Sequence, residues 1–162
     1  MDGRENPRSG QCRKSMVIDI HPSKFRKNLK GSHILVVEDD LHMRIFISTV
    51  LETSGYNATA ARDGKEGIQK AKEVPPDLII LDVMMPEEGG VSMYRQLKAD
   101  GKLRGIPVIM LSGVDSNSFL HALRMMNLGV QDPLPDPEAY VEKPPKAEHL
   151  LEVIERLLKD AN

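Results

Sequence analysis

Acidic, hydroxyl and basic side chains follow short apolar segments at four points in the sequence. Glu38 and Asp39 come directly after ILVV, and Asp82 comes directly after LIIL. Ser112 follows a third apolar segment, and Lys143 lies just beyond a fourth. If each segment is a strand of one parallel sheet, these side chains meet at the carboxyl edge of that sheet, where open α/β folds bind their ligands. We therefore take Asp82 as the predicted functional centre.

Three carboxylates in one crevice, those of Glu38, Asp39 and Asp82, require neutralisation. At separations of about 4 to 6 Å, each pair repels by about 1 kcal/mol in water and by several times more when partly buried. Either one carboxyl group keeps its proton through a raised pKa, or a cation binds among them, and an all-oxygen set of ligands favours Mg²⁺. Lys143 would supply a further positive charge from the opposite side.

The chemistry expected of this group of side chains is phosphoryl transfer. A carboxylate beside a divalent cation and an ammonium group can attack phosphorus, because both cations neutralise the charge on the incoming phosphoryl oxygens. The expected product is an aspartyl phosphate at Asp82.

The elements that position these side chains alternate regularly from His33 onwards. The central segment LIIL follows Pro75 and Pro76 and is apolar throughout, which is typical of a strand buried on both faces. Five strands alternating with five amphipathic helices predict an α/β fold, a doubly wound, flavodoxin-like parallel sheet with strand order 2-1-3-4-5. The predicted strands are 34–37, 56–61, 78–81, 106–111 and 140–142, and the predicted helices are 41–54, 65–73, 91–99, 116–128 and 146–159.

Charge is unevenly distributed along the 162 residues, although the formal net charge is only -2. Residues 1–31 contain eight basic and three acidic residues, whereas residues 32–162 contain 14 basic and 21 acidic ones. Low apolar content in residues 1–15 predicts a largely disordered basic extension over 1–31, followed by one domain over 32–162. Such an extension is more often a solvated tail than an arm for nucleic acid or membrane, and translation could also begin at Met16, so we assign it no function.

A single cysteine, Cys12, excludes an internal disulfide and indicates a reducing compartment. No apolar run approaches the roughly 18 residues of a membrane span, and no signal peptide follows Met1. We therefore expect a cytoplasmic protein that binds neither membrane nor nucleic acid directly.

Four motifs in the same order resemble the receiver domain of two-component response regulators over residues 32–160. They are ILVVEDD (34–40), LIILDVMMP (78–86), IPVIMLSG (106–113) and YVEKP (140–144). Each motif alone is weak, but together they are highly specific. The resemblance implies a signalling protein rather than an enzyme, which receives a phosphoryl group from a sensor histidine kinase or a histidine phosphotransfer protein.

The resemblance also implies roles for individual residues at the site. Asp82 corresponds to the phosphoacceptor, and Lys143 to the lysine that binds the phosphoryl group. Glu38 and Asp39 correspond to the acidic pair that holds Mg²⁺, together with Asp82 and the backbone carbonyl of Met84.

A second set of implied roles concerns switching. Ser112 corresponds to the switch hydroxyl and Tyr140 to the switch aromatic, and Lys143 is expected to precede Pro144 through a cis bond. Phosphorylation is expected to change the surface formed by the fourth helix, fifth strand and fifth helix. Because the sequence stops after the last helix, we expect a stand-alone regulator that binds a downstream protein of unknown identity and could form a homodimer.

Each of these residues also has a simpler structural interpretation. Ser112 could cap a turn, Tyr140 could be a core aromatic, and Lys143 could be a solvated loop charge. The acidic residues at 38–40 could be no more than a cluster favoured by a helix N-terminus. Their joint occurrence at the ends of predicted adjacent strands favours the functional interpretation.

The sequence departs from the family pattern in two places. Glu88, Gly89 and Gly90 stand where an apolar residue, an acid or Asn, and one glycine are usual, which leaves the start of the third helix open. The segment between Gly129 and Tyr140 is about seven residues longer than usual and contains three prolines, so we expect an irregular loop there.

Two other protein classes compete with a working receiver. Phosphohydrolases of the haloacid dehalogenase type also use a strand-end aspartate with Mg²⁺ and lysine, but they need a second aspartate two residues later, where this sequence has Met84. A pseudo-receiver would keep the fold as a binding module without being phosphorylated. The complete set of site residues argues against it.

Overall fold

The computed structural model describes residues 29–86 and 89–162, so most of the predicted basic extension lies outside the described residues and stays a prediction. Five parallel strands form one sheet in the order β2-β1-β3-β4-β5, as predicted from the sequence. The strands are β1 (His33–Val37), β2 (Asn57–Ala61), β3 (Leu78–Asp82), β4 (Val108–Ser112) and β5 (Ala139–Glu142). The helices are α1 (Leu41–Thr53), α2 (Gly64–Glu73), α3 (Gly90–Ala99), α4 (Ser116–Met126) and α5 (Ala147–Asp160).

Helices cover both faces of the sheet and form two apolar clusters. On one face, α1 and α5 pack against the strands through side chains such as Ile47 and Ile154. On the other face, α2, α3 and α4 pack through side chains such as Leu97 and Leu123. Because β3 lies between two strands and two helical layers, all five of its residues are buried. Asp82 is therefore a carboxylate at the end of a fully buried strand.

Side-chain caps fix where the first two helices begin. Asp40 accepts a hydrogen bond from the Met43 N–H at 2.7 Å and is the N-cap of α1. Asp63 accepts one from the Glu66 N–H at 2.8 Å, so α2 begins directly after it. Gly55 follows α1 with a φ of 90°, a left-handed conformation that suits glycine and ends the helix.

Two elements, β4 and α4, are shorter than predicted. β4 begins two residues late, because the Ile106 N–H donates to the Leu103 carbonyl in a turn. α4 ends at Met126, two residues before the predicted end, and Met126 is 46% exposed. The helix stops there because the chain turns into the long loop that follows.

This long loop, residues 127–138, is irregular as predicted but is fastened to the domain. The Asn127 side chain donates to the Leu134 carbonyl at 2.7 Å and accepts from the Leu134 N–H at 2.9 Å. Leu134 is buried in the apolar cluster beneath α3 and α4. The Tyr94 hydroxyl of α3 donates to the Pro135 carbonyl at 3.0 Å. The loop therefore joins the end of α4 to α3.

Replacing Asn127 with alanine is expected to lower the free energy of unfolding by about 2 kcal/mol, because both hydrogen bonds to Leu134 are lost at a partly buried position. Urea unfolding measures the change. Asn117→Ala, at an exposed position of α4, is the matched control and should change stability by less than about 0.5 kcal/mol. Equal effects of the two substitutions would mean that the loop contacts do not stabilise the fold.

Among residues 29–86 and 89–162, none of the helices combines the length and the apolar character needed to cross a bilayer.

Candidate functional site

The three acidic side chains singled out in the sequence lie together at the carboxyl edge of the sheet. Val37 is paired with Leu81 in adjacent parallel strands, so the residues that follow them, Glu38 and Asp82, emerge side by side. One carboxylate oxygen from each of Glu38, Asp39 and Asp82 lies within 4.8 Å of the others. Glu38 and Asp82 are each 1% exposed, whereas Asp39 is exposed to solvent. The crevice is thus buried on one side and open on the other.

Lys143 places its ammonium group between two of these carboxylates. Its Nζ lies 2.7 Å from Glu38 Oε2 and 3.1 Å from Asp82 Oδ2. Its backbone N–H donates to the Ser112 carbonyl at 2.8 Å, which ties the segment after β5 to the end of β4. The peptide bond from Lys143 to Pro144 is cis, as the resemblance implies.

The charges in this crevice shift the pKa of two groups. Burial, aided by the negative charge of Asp82, raises the pKa of Glu38 to about 7, although Lys143 and the Asp40 N–H favour its charged form. Burial alone would lower the pKa of Lys143, but its contacts with Glu38 and Asp82 outweigh burial and raise it above the ordinary value. The cluster therefore needs positive charge, which Lys143 provides in part.

The free energy of unfolding of the metal-free protein is expected to fall as the pH rises from about 4.5 to about 7. In this window Glu38 is protonated in the folded protein, while the same group is ionised in the unfolded chain. The folded state therefore binds more protons, and raising the pH favours unfolding, by on the order of 2 kcal/mol from this group.

Urea unfolding at about pH 5 and about pH 8, with a chelator present, measures the effect. The Glu38→Gln variant should lose this part of the pH dependence, because glutamine does not titrate. The same pH dependence in both proteins would contradict the assigned pKa of Glu38.

The two carboxylate oxygens of Asp82 have different neighbours. Oδ1 accepts a hydrogen bond from the Met84 N–H at 3.1 Å, and Oδ2 faces the Lys143 ammonium group. Met84 itself, by contrast, is 66% exposed. The backbone after β3 thus holds the Asp82 carboxyl group in one orientation.

Ser112 and Tyr140, the two predicted switch residues, both contact Val114 in the loop after β4. Ser112 ends β4 and is buried, and its Oγ accepts a hydrogen bond from the Val114 N–H at 3.2 Å. The Tyr140 hydroxyl donates to the Val114 carbonyl, and its ring stacks on Phe119 with centroids 5.2 Å apart. Because Asp82 pairs with Leu111, Ser112 lies one residue beyond it on the neighbouring strand.

The donor set at the crevice fits a small divalent cation. Three carboxylate groups supply hard oxygen ligands, two of them buried and one open to solvent, which is the ligand chemistry that Mg²⁺ requires. Glu38, Asp39 and Asp82 would hold the ion. The Met84 carbonyl as a further ligand stays a prediction.

One residue at this site, Arg44, was not singled out from the sequence. Its Nη1 donates to the carbonyls of both Glu38 and Asp39, at 2.7 and 3.2 Å. The available signal was its position in the second turn of α1, one turn after the Asp40 cap. An arginine on the exposed surface of an amphipathic helix belongs to no specific sequence motif, so its role at the site is not recognised from the sequence.

The family model for the response regulator receiver domain matches residues 34–155. Among curated proteins, the polar-differentiation response regulator DivK of Brucella anthropi is 33% identical over 129 residues, covering 79% of this chain and 97% of DivK. The hybrid signal transduction histidine kinase D of Dictyostelium discoideum is 34% identical over 146 residues, which are 88% of this chain but only 9% of that kinase.

Solved structures show the same relationship. The signal receiver domain of a signal transduction histidine kinase from Syntrophus aciditrophicus superposes with a TM-score of 0.68 at 32% identity, over 80% of this chain and 92% of that one. The Vibrio cholerae chemotaxis protein CheY4 gives 0.67 at 26% identity, over 78% and 98%. The fold, the acidic crevice and these matches agree, and the chain belongs to the receiver domain family of two-component response regulators.

Proposed function

We propose that this protein accepts a phosphoryl group on Asp82 from the phosphohistidine of a sensor histidine kinase or a histidine phosphotransfer protein. The observation that carries the proposal is the setting of the Asp82 carboxylate. One oxygen is held by the Met84 N–H and the other faces Lys143, while Glu38 and Asp39 complete an acidic cluster at the open edge of the sheet.

The transfer step follows from these contacts. An Asp82 oxygen attacks phosphorus, a new O–P bond forms, and the P–N bond to the donor imidazole breaks with its electron pair left on nitrogen. The Lys143 ammonium group, already 3.1 Å from Asp82, neutralises charge on the transferred phosphoryl oxygens. Mg²⁺ held by the carboxylates of Glu38, Asp39 and Asp82 would supply further neutralisation of the same charge and of the carboxylate cluster.

Signalling would follow from the charge added at Asp82. Ser112 lies one residue beyond Asp82 on the neighbouring strand and turns its hydroxyl toward the new phosphoryl oxygens, which draws in the Val114 turn. Tyr140, whose hydroxyl contacts the Val114 carbonyl, moves with this turn. The surface of α4, β5 and α5 then changes for a downstream protein, and a coupling of about 1 to 3 kcal/mol is sufficient.

A binding role, without an enzymatic activity of its own, is consistent with the relatives. The match to 97% of DivK supports a stand-alone regulator, whereas the Dictyostelium match shows that such a domain also occurs within a much longer kinase. The downstream target and a homodimer stay predictions, as does a cytoplasmic location.

Intact mass measurement after incubation with acetyl phosphate and Mg²⁺ tests the proposal. We expect one added phosphoryl group, lost when EDTA replaces Mg²⁺. The test variant is Asp82→Asn, and Asp132→Asn is its matched control. Asp132 is an exposed loop carboxylate far along the chain from the acidic cluster, so the control should be phosphorylated like the wild type. No added mass in protein that is fully folded would favour a pseudo-receiver.

The aspartyl phosphate is expected to decay slowly, over many minutes or longer. In receivers, the side chains two positions beyond the phosphoacceptor and two beyond the switch hydroxyl help or hinder the water that hydrolyses the aspartyl phosphate. Here these are Met84 and Val114, which are 66% and 38% exposed and have no group that binds water strongly. Loss of the added mass with time, after removal of the donor, measures the rate, and Met84→Asn should accelerate it. A half-life of seconds in the wild type would contradict this expectation.

A further inference from the structure

Arg44 connects α1 to the turn that carries two of the acidic residues. From the second turn of the helix, its half-buried side chain reaches back so that Nη1 donates to the Glu38 carbonyl at 2.7 Å and to the Asp39 carbonyl at 3.2 Å. Two successive carbonyls of the turn between β1 and α1 are thereby held by one charged donor. Hydrogen bonds from a charged group are the stronger kind.

Three other backbone groups of this turn also have hydrogen-bond partners. The Glu38 N–H donates to the Ala61 carbonyl at 3.1 Å, and the Asp40 N–H donates to Glu38 Oε1 at 3.1 Å. The Asp40 carbonyl accepts from the Arg44 N–H at 2.9 Å. These hydrogen bonds do not use the carbonyls of Glu38 and Asp39. The Arg44 side chain binds both of these carbonyls.

Arg44 binds backbone carbonyls and not carboxylates, and this difference matters for metal binding at the site. In the described part of the chain, the guanidinium group makes no ion pair with a carboxylate, so it does not occupy the oxygens of Glu38, Asp39 or Asp82. A cation bonded to those oxygens would compete with a metal ion, as Lys143 does in part. Arg44 instead fixes the backbone from which the carboxylates project.

We propose that Arg44 is a positioning residue for the divalent cation, which holds the turn so that the carboxylates of Glu38 and Asp39 converge with that of Asp82. The inference rests on the proposed function, since it names a residue that sets cation affinity at the same site. Groups that orient metal ligands from outside the ligand set change affinity by about 10-fold to 100-fold when removed.

Magnesium titration followed by the backbone NMR signals of residues 38–40 and 82, with no phosphodonor present, tests the proposal. We expect Arg44→Ala to weaken Mg²⁺ binding by about tenfold. Arg44→Lys should fall between wild type and Arg44→Ala, because lysine donates without the fixed fork of arginine. Arg95→Ala is the matched control: the Arg95 side chain is exposed on α3 and makes no hydrogen bond or ion pair with described residues, so its loss should leave the affinity unchanged.

A second readout separates positioning from general loss of structure. At saturating Mg²⁺, the rate of phosphorylation of Arg44→Ala by acetyl phosphate should return to near the wild-type rate, whereas a disrupted site would stay slow. If Arg44→Ala does not fold, Arg44→Lys carries the test, and wild-type affinity in that variant would overturn the proposal.

The outcomes also distinguish this inference from the proposed function. Unchanged Mg²⁺ affinity in folded Arg44→Ala, with wild-type protein that is phosphorylated, overturns the inference alone. Weakened affinity in Arg44→Ala, with wild-type protein that binds Mg²⁺ but is never phosphorylated, supports the inference and overturns the proposed function. Wild-type protein that binds no Mg²⁺ overturns both.

Discussion

Replacing Asp82 with asparagine is expected to abolish phosphorylation by acetyl phosphate while leaving the protein folded. Asparagine has nearly the same shape and can keep the hydrogen bond from the Met84 N–H, but its neutral amide oxygen is not a competent nucleophile toward phosphorus. The substitution also removes one negative charge from the cluster with Glu38 and Asp39. Intact mass measures phosphorylation, and thermal unfolding measures whether the variant is folded. Both are measured on the same sample.

The comparison variant for this experiment is Asp39→Asn. Asp39 is exposed and makes no ion pair with Lys143, so its loss should weaken the response to Mg²⁺ without preventing phosphorylation at high Mg²⁺ concentration. Full phosphorylation of Asp82→Asn would show that the acceptor is another residue. Failure of both variants at saturating Mg²⁺ would show that the acceptor and metal-binding roles are not divided as proposed.

The largest loss of stability is expected from Gly90→Ala, at the start of α3. A Cβ atom at position 90 would lie 1.9 Å from the Asp82 carbonyl oxygen and 2.8 Å from the Val83 Cα, and both are backbone atoms that cannot rotate away. The helix or the end of β3 must therefore shift. We expect the free energy of unfolding to fall by about 3 kcal/mol, measured by urea unfolding.

Gly101→Ala is the matched control for this substitution. A Cβ atom there would meet nothing within 4 Å, and the backbone is not left-handed, so we expect a change of less than about 1 kcal/mol. The displaced end of β3 should also slow phosphorylation of Asp82 in folded Gly90→Ala, whereas Gly101→Ala should not. Equal stabilities of the two variants would mean that a Cβ atom at position 90 does not clash with the backbone at the end of β3.

Apolar segments predict the centre of this fold because β1, β3 and β4 are almost entirely buried. A segment such as LIIL, placed between prolines and a carboxylate, has few alternatives to a central parallel strand, and the order 2-1-3-4-5 is one of the two common orders for such an alternation of elements. The same reasoning brings Glu38, Asp82 and Lys143 together, because side chains at the carboxyl ends of parallel strands share one edge.

The remaining features depend on contacts between residues distant in sequence. The close approach of Gly90 to the Asp82 carbonyl cannot be read from a pair of glycines, which indicates only a break before a helix. Exposure of Met126 at the end of α4 depends on where Asn127 binds the loop, and local periodicity does not contain that information. Hydrogen bonds from Arg44 to backbone carbonyls leave no pattern at all.

The most direct test of the central claim is to locate the phosphoryl group within the chain. Protein treated with acetyl phosphate and Mg²⁺ is reduced with borohydride, which converts an aspartyl phosphate to homoserine, and the modified residue is then identified by peptide mass spectrometry. We expect homoserine at position 82 and at no other acidic residue. Homoserine at Asp39 instead, or none in protein that carries the added mass, would contradict it.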